Sequence, residues 1–303
     1  MTTQESIVAE GAKGAGQGGE VERARLVEVV DRYLDALATN DPLRLRVGSN
    51  VRFTENGQQL ALGKGLWGTA TATPPARRAA WVADPDAGQV GALAEVGEAG
   101  ERSLLAVRLK VHGGVISEIE TMVCRPAIRI FDPDGVGRRG DLDQVVPQGE
   151  RSSREGLAAT AQLYFEGILR GDGKMIPMDP RCVRMENGVA TALNTESDSP
   201  LFAMSIADAI DTGIYVTVIE SVRDRRVTAV DVERGLVFVH FAFDHPGAVT
   251  RLRGGSDGGG TTTPFRTPSS LMGVEIFKVR AGRITHIEAV LTNVPYGMPS
   301  GWS

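Results

Sequence analysis

Residues 109–120 read L-K-V-H-G-G-V-I-S-E-I-E, and residues 277–288 read F-K-V-R-A-G-R-I-T-H-I-E. The two stretches align without a gap: one strand, a tight turn at a glycine, and a returning strand that closes on Ile-Glu. A second pair lies upstream in the same order. Y-L-D-A-L (33–37) answers Y-F-E-G-I (164–168), and V-R-F-T-E-N-G (51–57) answers V-R-M-E-N-G (183–188), with a one-residue slip that sets Arg52 beside Arg184. The chain therefore reads as two copies of one plan. Features present in both copies belong to the fold, and features present in only one are candidates for chemistry.

Outward from these anchors, each copy reads helix first and meander after. Leu26, Val29, Val30, Tyr33, Leu34 and Leu37 follow helical spacing, and Asn40-Asp41-Pro42 ends the helix. A strand then leads into Asn56-Gly57, a pair that takes the left-handed turn conformations readily. Strands at 89–96 and 103–111, the His112-Gly113-Gly114 turn and Val115–Cys124 complete the first copy. Residues 1–20 lack periodicity and are expected to form a disordered tail. The first copy then covers 21–130, a Gly-, Pro- and charge-rich linker 131–153, and the second copy 154–303, with Ser153 as cap of a helix over Arg154–Leu169. Between copies the offset grows from 131 (Tyr33 to Tyr164) to 168 (Lys110 to Lys278), and much of the excess is assigned to 245–271, a long glycine-bearing hairpin tip.

Composition narrows the classes. A chain of 303 residues can bury two cores, and 42% apolar with 23% charged residues is ordinary for a globular protein. A formal charge of −5 argues against nucleic acid or an anionic membrane as partner, and no apolar run reaches the ~20 residues of a span. The start shows no signal-peptide pattern, and Cys124 and Cys182 read as buried free thiols, so a cytoplasmic location is expected. Homo-oligomerisation is compatible with this composition but not specified by it.

The order of a leading helix, a short strand with a turn, and a meander closing on K-V-x-x-G-x-I-x-x-I-E resembles the nuclear transport factor 2-like superfamily, which includes ketosteroid isomerase and polyketide-cyclase-like proteins. The resemblance implies an α+β fold: two tandem cone-shaped barrels, each a curved antiparallel sheet wrapped around its N-terminal helices. The doubling, with the ending V-P-Y-G-M-P-S-G-W, also resembles the tandem proteins that include diarylpropane lyases. That likeness implies cofactor-free carbon–carbon cleavage with loss of formaldehyde.

No phosphate loop, nucleophile elbow or metal-spaced His/Cys set occurs, so neither a cofactor nor a metal is expected and chemistry falls to ordinary side chains. His112 lies in a turn and His286 at a position expected to face outward, while His245 opens the long loop. His240 is the main candidate. With a tight turn at Arg234-Gly235, Asp231 and His240 share a face as diagonal neighbours about 7–8 Å apart, so that the carboxylate would orient the imidazole as a general base. Tyr164 lies on the helix opening the second copy, and the resemblance to ketosteroid isomerases, which use a helix tyrosine to hold a developing oxyanion, implies that role for it; Tyr33 fills the equivalent place in the first copy, which favours packing. Arg184 shares a strand face with Glu186 and could serve with Tyr164. Phe202, Met204, Tyr215, Phe238 and Tyr296 could line a pocket for an apolar, aromatic ligand. The sequence thus favours a cofactor-independent lyase or isomerase in the second copy. A non-catalytic binding or assembly module, and a hydrolase of the same fold, remain alternatives.

Overall fold

The stripe read at 26–37 is the buried face of α1 (Gln4–Ala38): Leu26, Val29, Val30, Tyr33, Leu34 and Leu37 are all in the core. The computed structural model describes residues 4–138, 140–249, 251–252, 261–263 and 265–302. α1 begins well inside the segment expected to be a disordered tail. No proline interrupts residues 4–20, so a helix anchored by its packed C-terminal half can propagate backwards. In the second half Ser153 accepts the Gly156 N–H at 3.1 Å and opens α2 (Arg154–Arg170), which ends at the left-handed Gly171.

Each helix lies against its own curled sheet. The first sheet comprises β1 (Val47–Glu55), β2 (Gln58–Leu60), β3 (Ala70–Thr71), β4 (Arg77–Asp84), β5 (Gln89–Glu98), β6 (Glu101–His112) and β7 (Val115–Cys124), ordered β2-β1-β7-β6-β5-β3 with β4 also on β5. The second comprises β8 (Met178–Glu186), β9 (Val189–Ala190), β10 (Ser221–Asp231), β11 (Leu236–His245), β14 (Ser269–Arg280) and β15 (Arg283–Val294), ordered β10-β11-β14-β15-β8-β9. Between β11 and β14 lies a small hairpin, β12 (Arg251–Leu252) with β13 (Thr261–Thr262). Within the tip expected at 245–271, residues 250, 253–260 and 264 lie outside the described residues. The sheets are not wholly antiparallel. β1 pairs with β7, and β8 with β15, in parallel, since the whole meander intervenes and its length permits a crossover.

The register removes the slip suggested by the sequence. Phe53 stands opposite Ile119, and Arg184 opposite Ile287, the counterpart of Ile119. Arg184 therefore occupies the place of Phe53, not of Arg52. Val90 and Val237, 147 residues apart, likewise hold matching positions opposite Leu109 and Phe277. The second half's extra residues thus enter at two places. One lies before β10 and contains three short helices, α3 (Pro200–Ala203), α4 (Ile206–Asp211) and α5 (Ile214–Val218), and the other is the connection between β11 and β14.

Strand alternation then assigns every side chain to one of two environments. In β11 the odd positions Val237, Val239, Phe241 and Phe243 pack under α2 in the second half's own core, with Phe165 and Phe277. The even position Phe238 packs on the other side, with Ala229, Leu236, Val274 and Ile276, against Val82, Leu93, Leu104 and Ala106 of the first sheet. The face proposed as a pocket wall is therefore the seam between the halves. Phe238 is fully buried there and lies directly over Gly91.

Reciprocal ion pairs clamp the seam. Arg23 of α1 binds Asp231 of the second sheet at 3.1 Å, and Arg154 of α2 binds Asp84 of the first, with Nη1–Oδ1 at 2.9 Å. Each carboxylate also accepts the backbone N–H three residues on, Arg234 for Asp231 and Ala87 for Asp84. Helix of one half to sheet of the other, twice, is the arrangement of a two-fold interface. It also explains why the expected Asp231–His240 pair is not formed. Asp231 closes a longer loop, 232–235, and stands opposite Leu236 while His240 stands opposite Arg226. Four residues of strand, about 13 Å, separate the two along β11.

A Cβ added at Gly91 would sit 2.5–2.6 Å from the ring of Phe238. Gly91→Ala should cost about 1–3 kcal/mol by overpacking, measured by urea denaturation, whereas Gly149→Ala, where the added methyl meets nothing and the backbone is not left-handed, should cost less.

Candidate active site

The helix-facing side of the second sheet carries a polar cluster that the first sheet lacks. Across β8, β15 and β14 runs the row Glu186–Ala289–Glu275; in the first half the same row reads Glu55–Thr121–Val107. One step along, Arg184–Ile287–Phe277 replaces Phe53–Ile119–Leu109. So a Phe/Val pair in one half has become an Arg/Glu pair in the other, at positions buried in both. Ala289 is the small residue between the two carboxylates.

Arg184 is the hub. Its Nε donates to Thr191 Oγ1 at 2.9 Å, Nη1 to the Tyr164 hydroxyl at 3.1 Å, and Nη2 to the Tyr215 hydroxyl at 3.0 Å and to the Thr191 carbonyl at 3.3 Å. Glu186 lies 3.5 Å from its Nε. Each tyrosine oxygen accepts from the guanidinium, so each O–H is left to donate elsewhere. Burial raises the Tyr164 pKa well above the usual phenol range, with Glu275 adding to the effect, and that keeps its proton in place. Tyr164 is held by edge contacts to Phe165 and Phe277, at 5.3 Å each.

Glu275 is the unpaired member. It is fully buried, and its Oε2 has no hydrogen-bond partner. Burial first, then the negative charge of Glu186, raises its pKa well above the carboxylate range, with Arg184 opposing. Sequence reading missed it. Extending the gapless alignment two residues upstream of Leu109 and Phe277 would have set Glu275 against Val107, an acid on an inward-facing position.

The first half keeps Tyr33 and Glu55 but fills the corresponding space. Leu66 and Trp67, on a short turn at Gly65–Gly68, are inserted beneath α1, and Trp67 meets Tyr33 edge-on at 5.4 Å. Glu55 is tied to the Leu66 N–H at 2.7 Å.

Of the residues expected at the site, the structure brings Tyr164, Arg184, Glu186 and Tyr215 together. It does not bring the others there. His240 and Phe238 lie on the seam face, and Asp231 is in the clamp to Arg23. Tyr296 is 45% exposed with its hydroxyl on Glu220, because the chain has left the sheet by that point. Phe202 and Met204 lie on the crossing beside Leu193 and Asn194 and do not pack against the second-half core. Among the other histidines, His112 is exposed as expected. His286 faces outward from its sheet yet is buried, because the linker's Gly140 lies over its ring; its Nε2 is 3.2 Å from Glu288. His245 stacks on Phe265 at 3.5 Å. Both cysteines are buried free thiols, their pKa values pushed up to about 12 by burial.

His240 belongs to a separate cluster at the seam. Its Nδ1 lies 3.3 Å from Glu120 Oε1, and Glu120 also receives Arg108 at 2.9 Å and both terminal nitrogens of Arg226. Burial lowers the His240 pKa to about 3, with Arg226 and Arg108 lowering it further and Glu120 opposing, so the ring is neutral at physiological pH.

Among the described residues no helix is long and apolar enough to cross a membrane, and no group of three or more His, Cys, Asp or Glu side chains is placed to hold a metal ion. The family model described as a domain of unknown function (DUF8021) matches residues 19–123 and 150–291, and the chain belongs to that family. No curated protein sequence matches it. Solved structures similar to it include a proposed isomerase from Bacillus subtilis (18% identity, 46% of this chain and 87% of that one, TM-score 0.30). A proposed polyketide cyclase from Xanthomonas campestris pv. campestris (22%, 46% and 92%, 0.31) and AusH from Aspergillus nidulans (12%, 46% and 86%, 0.30) are also similar.

The raised pKa of Glu275 has a definite sign in stability. The folded state holds this proton more tightly than the unfolded chain does. Stability is therefore lost as pH rises from the ordinary carboxylate range through the raised folded value. Glu275→Leu should remove that slope and stabilise the protein at pH 8 by about 0.5–2 kcal/mol, read from denaturation curves at pH 5 and pH 8.

Proposed function

We propose that the second half is a cofactor-independent acid–base catalyst for a small carbonyl compound, acting by isomerisation or ring closure through an enolate. The observation that carries this reading is Glu275, a buried carboxyl with an unpartnered oxygen, beside two tyrosine hydroxyls backed by one guanidinium. The ionised Glu275 takes a proton from the carbon next to the carbonyl. The electron pair moves onto the carbonyl oxygen, which receives the O–H bonds of Tyr164 and Tyr215 as its charge develops. Protonated Glu275 then returns the proton to another carbon of the same conjugated system, so nothing is consumed and no redox partner is needed.

Burial supports both roles. A carboxyl shifted upward is a stronger base once ionised and holds its proton until the return step. Hydroxyl donors in a buried site cost little reorganisation and stabilise charge more than they would in water. Around the polar cluster, Phe165, Phe241, Phe277 and Ile210 offer an apolar wall suited to an apolar or aromatic body on the substrate. Tyr215 sits on α5, a five-residue helix with no buried residue, preceded by the left-handed Gly213. With no fully buried residue it is weakly held, and its movement would admit the ligand.

The test is incorporation of solvent deuterium next to the carbonyl in a panel of cyclic and aromatic ketones, followed by proton NMR. Wild type should exchange, with kcat/KM rising with pH as Glu275 ionises. Glu275→Gln should lower kcat by about 10²–10⁴-fold and abolish that rising limb. Tyr164→Phe should lower kcat by about 10²–10³-fold, and Tyr215→Phe should raise KM as well. Ketones that bind wild type without any exchange would make this a binding module and overturn the catalytic reading.

A further inference from the structure

The C-terminal end of α5, the helix that carries Tyr215, is fastened by one side chain. His245 closes β11 on the same face as Val237, Val239, Phe241 and Phe243, and its Nδ1 lies 2.9 Å from the carbonyl of Val218, the last residue of α5. A carbonyl only accepts, so the ring proton sits on Nδ1, and Nε2 is left with no partner. Phe265, from the connection between β11 and β14, covers the ring face to face, with centroids 3.5 Å apart and planes 6° apart. Burial lowers the His245 pKa, with the Val218 bond and Asp244 opposing, so the ring is neutral at physiological pH. Asp244 is itself met by Arg223 at 2.7 and 3.0 Å and does not depend on the imidazole. The one hydrogen bond of this buried ring is therefore spent on α5.

The first half has the same device in a firmer form. Val90 and Val237 are equivalent, so Glu98 at the end of β5 stands where His245 stands at the end of β11. Glu98 accepts from the Thr69 hydroxyl at 2.8 Å, and Thr69 follows the turn at Gly65–Gly68 that inserts Trp67 beneath α1. In each half, then, the last helix-facing residue of the same strand ties down the C-terminal end of a short helical segment that brings an aromatic side chain against the core.

The two fastenings differ in number. Around Trp67, Glu55 also takes the Leu66 N–H at 2.7 Å, Asn40 donates to the Trp67 carbonyl at 2.6 Å, and Arg125 clamps Glu98 at 2.7 and 2.9 Å. Trp67 is buried, whereas α5 has no buried residue and its Val216 is 44% exposed. What holds α5 is the Tyr215 hydroxyl on Arg184 at 3.0 Å and His245 on the last carbonyl. Beyond α5 the chain rejoins β11 at once, since the Glu220 N–H donates to the Asp244 carbonyl at 2.9 Å. Release of Val218 thus frees the stretch back to the left-handed Gly213 without disturbing β10.

We propose that His245 is a positioning residue for the helix-facing site: its bond to the Val218 carbonyl keeps α5 closed with the Tyr215 hydroxyl on Arg184, and release of that bond lets α5 swing from Gly213 to admit the ligand. The proposal rests on the reading of Tyr215 as a donor to the developing oxyanion. One neutral hydrogen bond is weak enough to open in each turnover and strong enough to favour the closed form. Loss of the latch lowers the closed fraction, which weakens apparent affinity in proportion. Once the ligand is bound, it and Arg184 hold Tyr215, so the chemical step is spared.

Three measurements on the full-length protein test this. In wild type, nitrogen-15 NMR should show the His245 ring, assigned through its backbone, as the Nδ1–H tautomer. The Nε2–H tautomer would overturn the proposal whether or not any variant folds. Amides of residues 214–219 should exchange with solvent about tenfold faster in His245→Phe, which keeps the stack and removes the donor, while α2 and β14 keep wild-type protection. His245→Asn, whose side-chain amide can reach the same carbonyl, should restore slow exchange. Unchanged exchange in His245→Phe, faster exchange throughout the chain, or no recovery in His245→Asn would each overturn it. In the ketone assay His245→Phe should raise KM about 3–10-fold with kcat within about twofold of wild type. A fall in kcat at unchanged KM is loss of folded protein and counts against the latch. Wild type that exchanges no ketone deuterium ends the catalytic reading, and the tautomer and amide exchange still decide the latch.

Discussion

Everything in this chain rests on the packing of two sheets back to back, with Phe238 seated over Gly91. A curled sheet has two faces, and one alone would leave its outer face in water. Here each sheet buries one face under its own helix and the other against its neighbour, so strands such as β11 are apolar on both sides. The reciprocal pairs Arg23–Asp231 and Arg154–Asp84 fix the halves in one orientation, since each helix is tied to the other half's sheet. Buried arginine–carboxylate pairs add less net stability than their Coulomb energy suggests, and their value here is in register.

Against that two-fold background the differences between halves stand out. The first half shows what an apolar solution looks like: Phe53 and Val107 inward, with Trp67 filling the space. The second half puts Arg184 and Glu275 at the same two positions and accepts the desolvation of both. A sequence able to use the cheaper arrangement in one copy does not use it in the other, and such local violations concentrate at working sites.

The likeness of the two closing strand pairs was legible as sequence because strands of the same length must keep their inward and outward positions in phase. The helix stripes, the Ser153 cap and the Asn-Gly turns followed from local spacing and propensity, and the structure shows them. The candidate site was legible in part. Tyr164, Arg184 and Glu186 could be named because they lie near an anchor of the alignment. Glu275 lay two residues beyond the quoted match and was passed over, although the contrast with Val107 was there to read. His240 and Asp231 were set together by a turn drawn two residues too short, and alternation cannot correct such an error, because an even shift leaves both side chains on the same face.

The sequence by itself determined that there are two α+β halves, which residues alternate along each strand, and which helix positions face inward. Those properties depend on neighbours within a few residues. Only the tertiary structure decided which face of each sheet packs beneath its own helix and which is the seam, since that depends on what lies on the far side. It also decided that Arg184 stands in the place of Phe53, because register between parallel strands distant in sequence is set by their packing and not by the spelling of either strand.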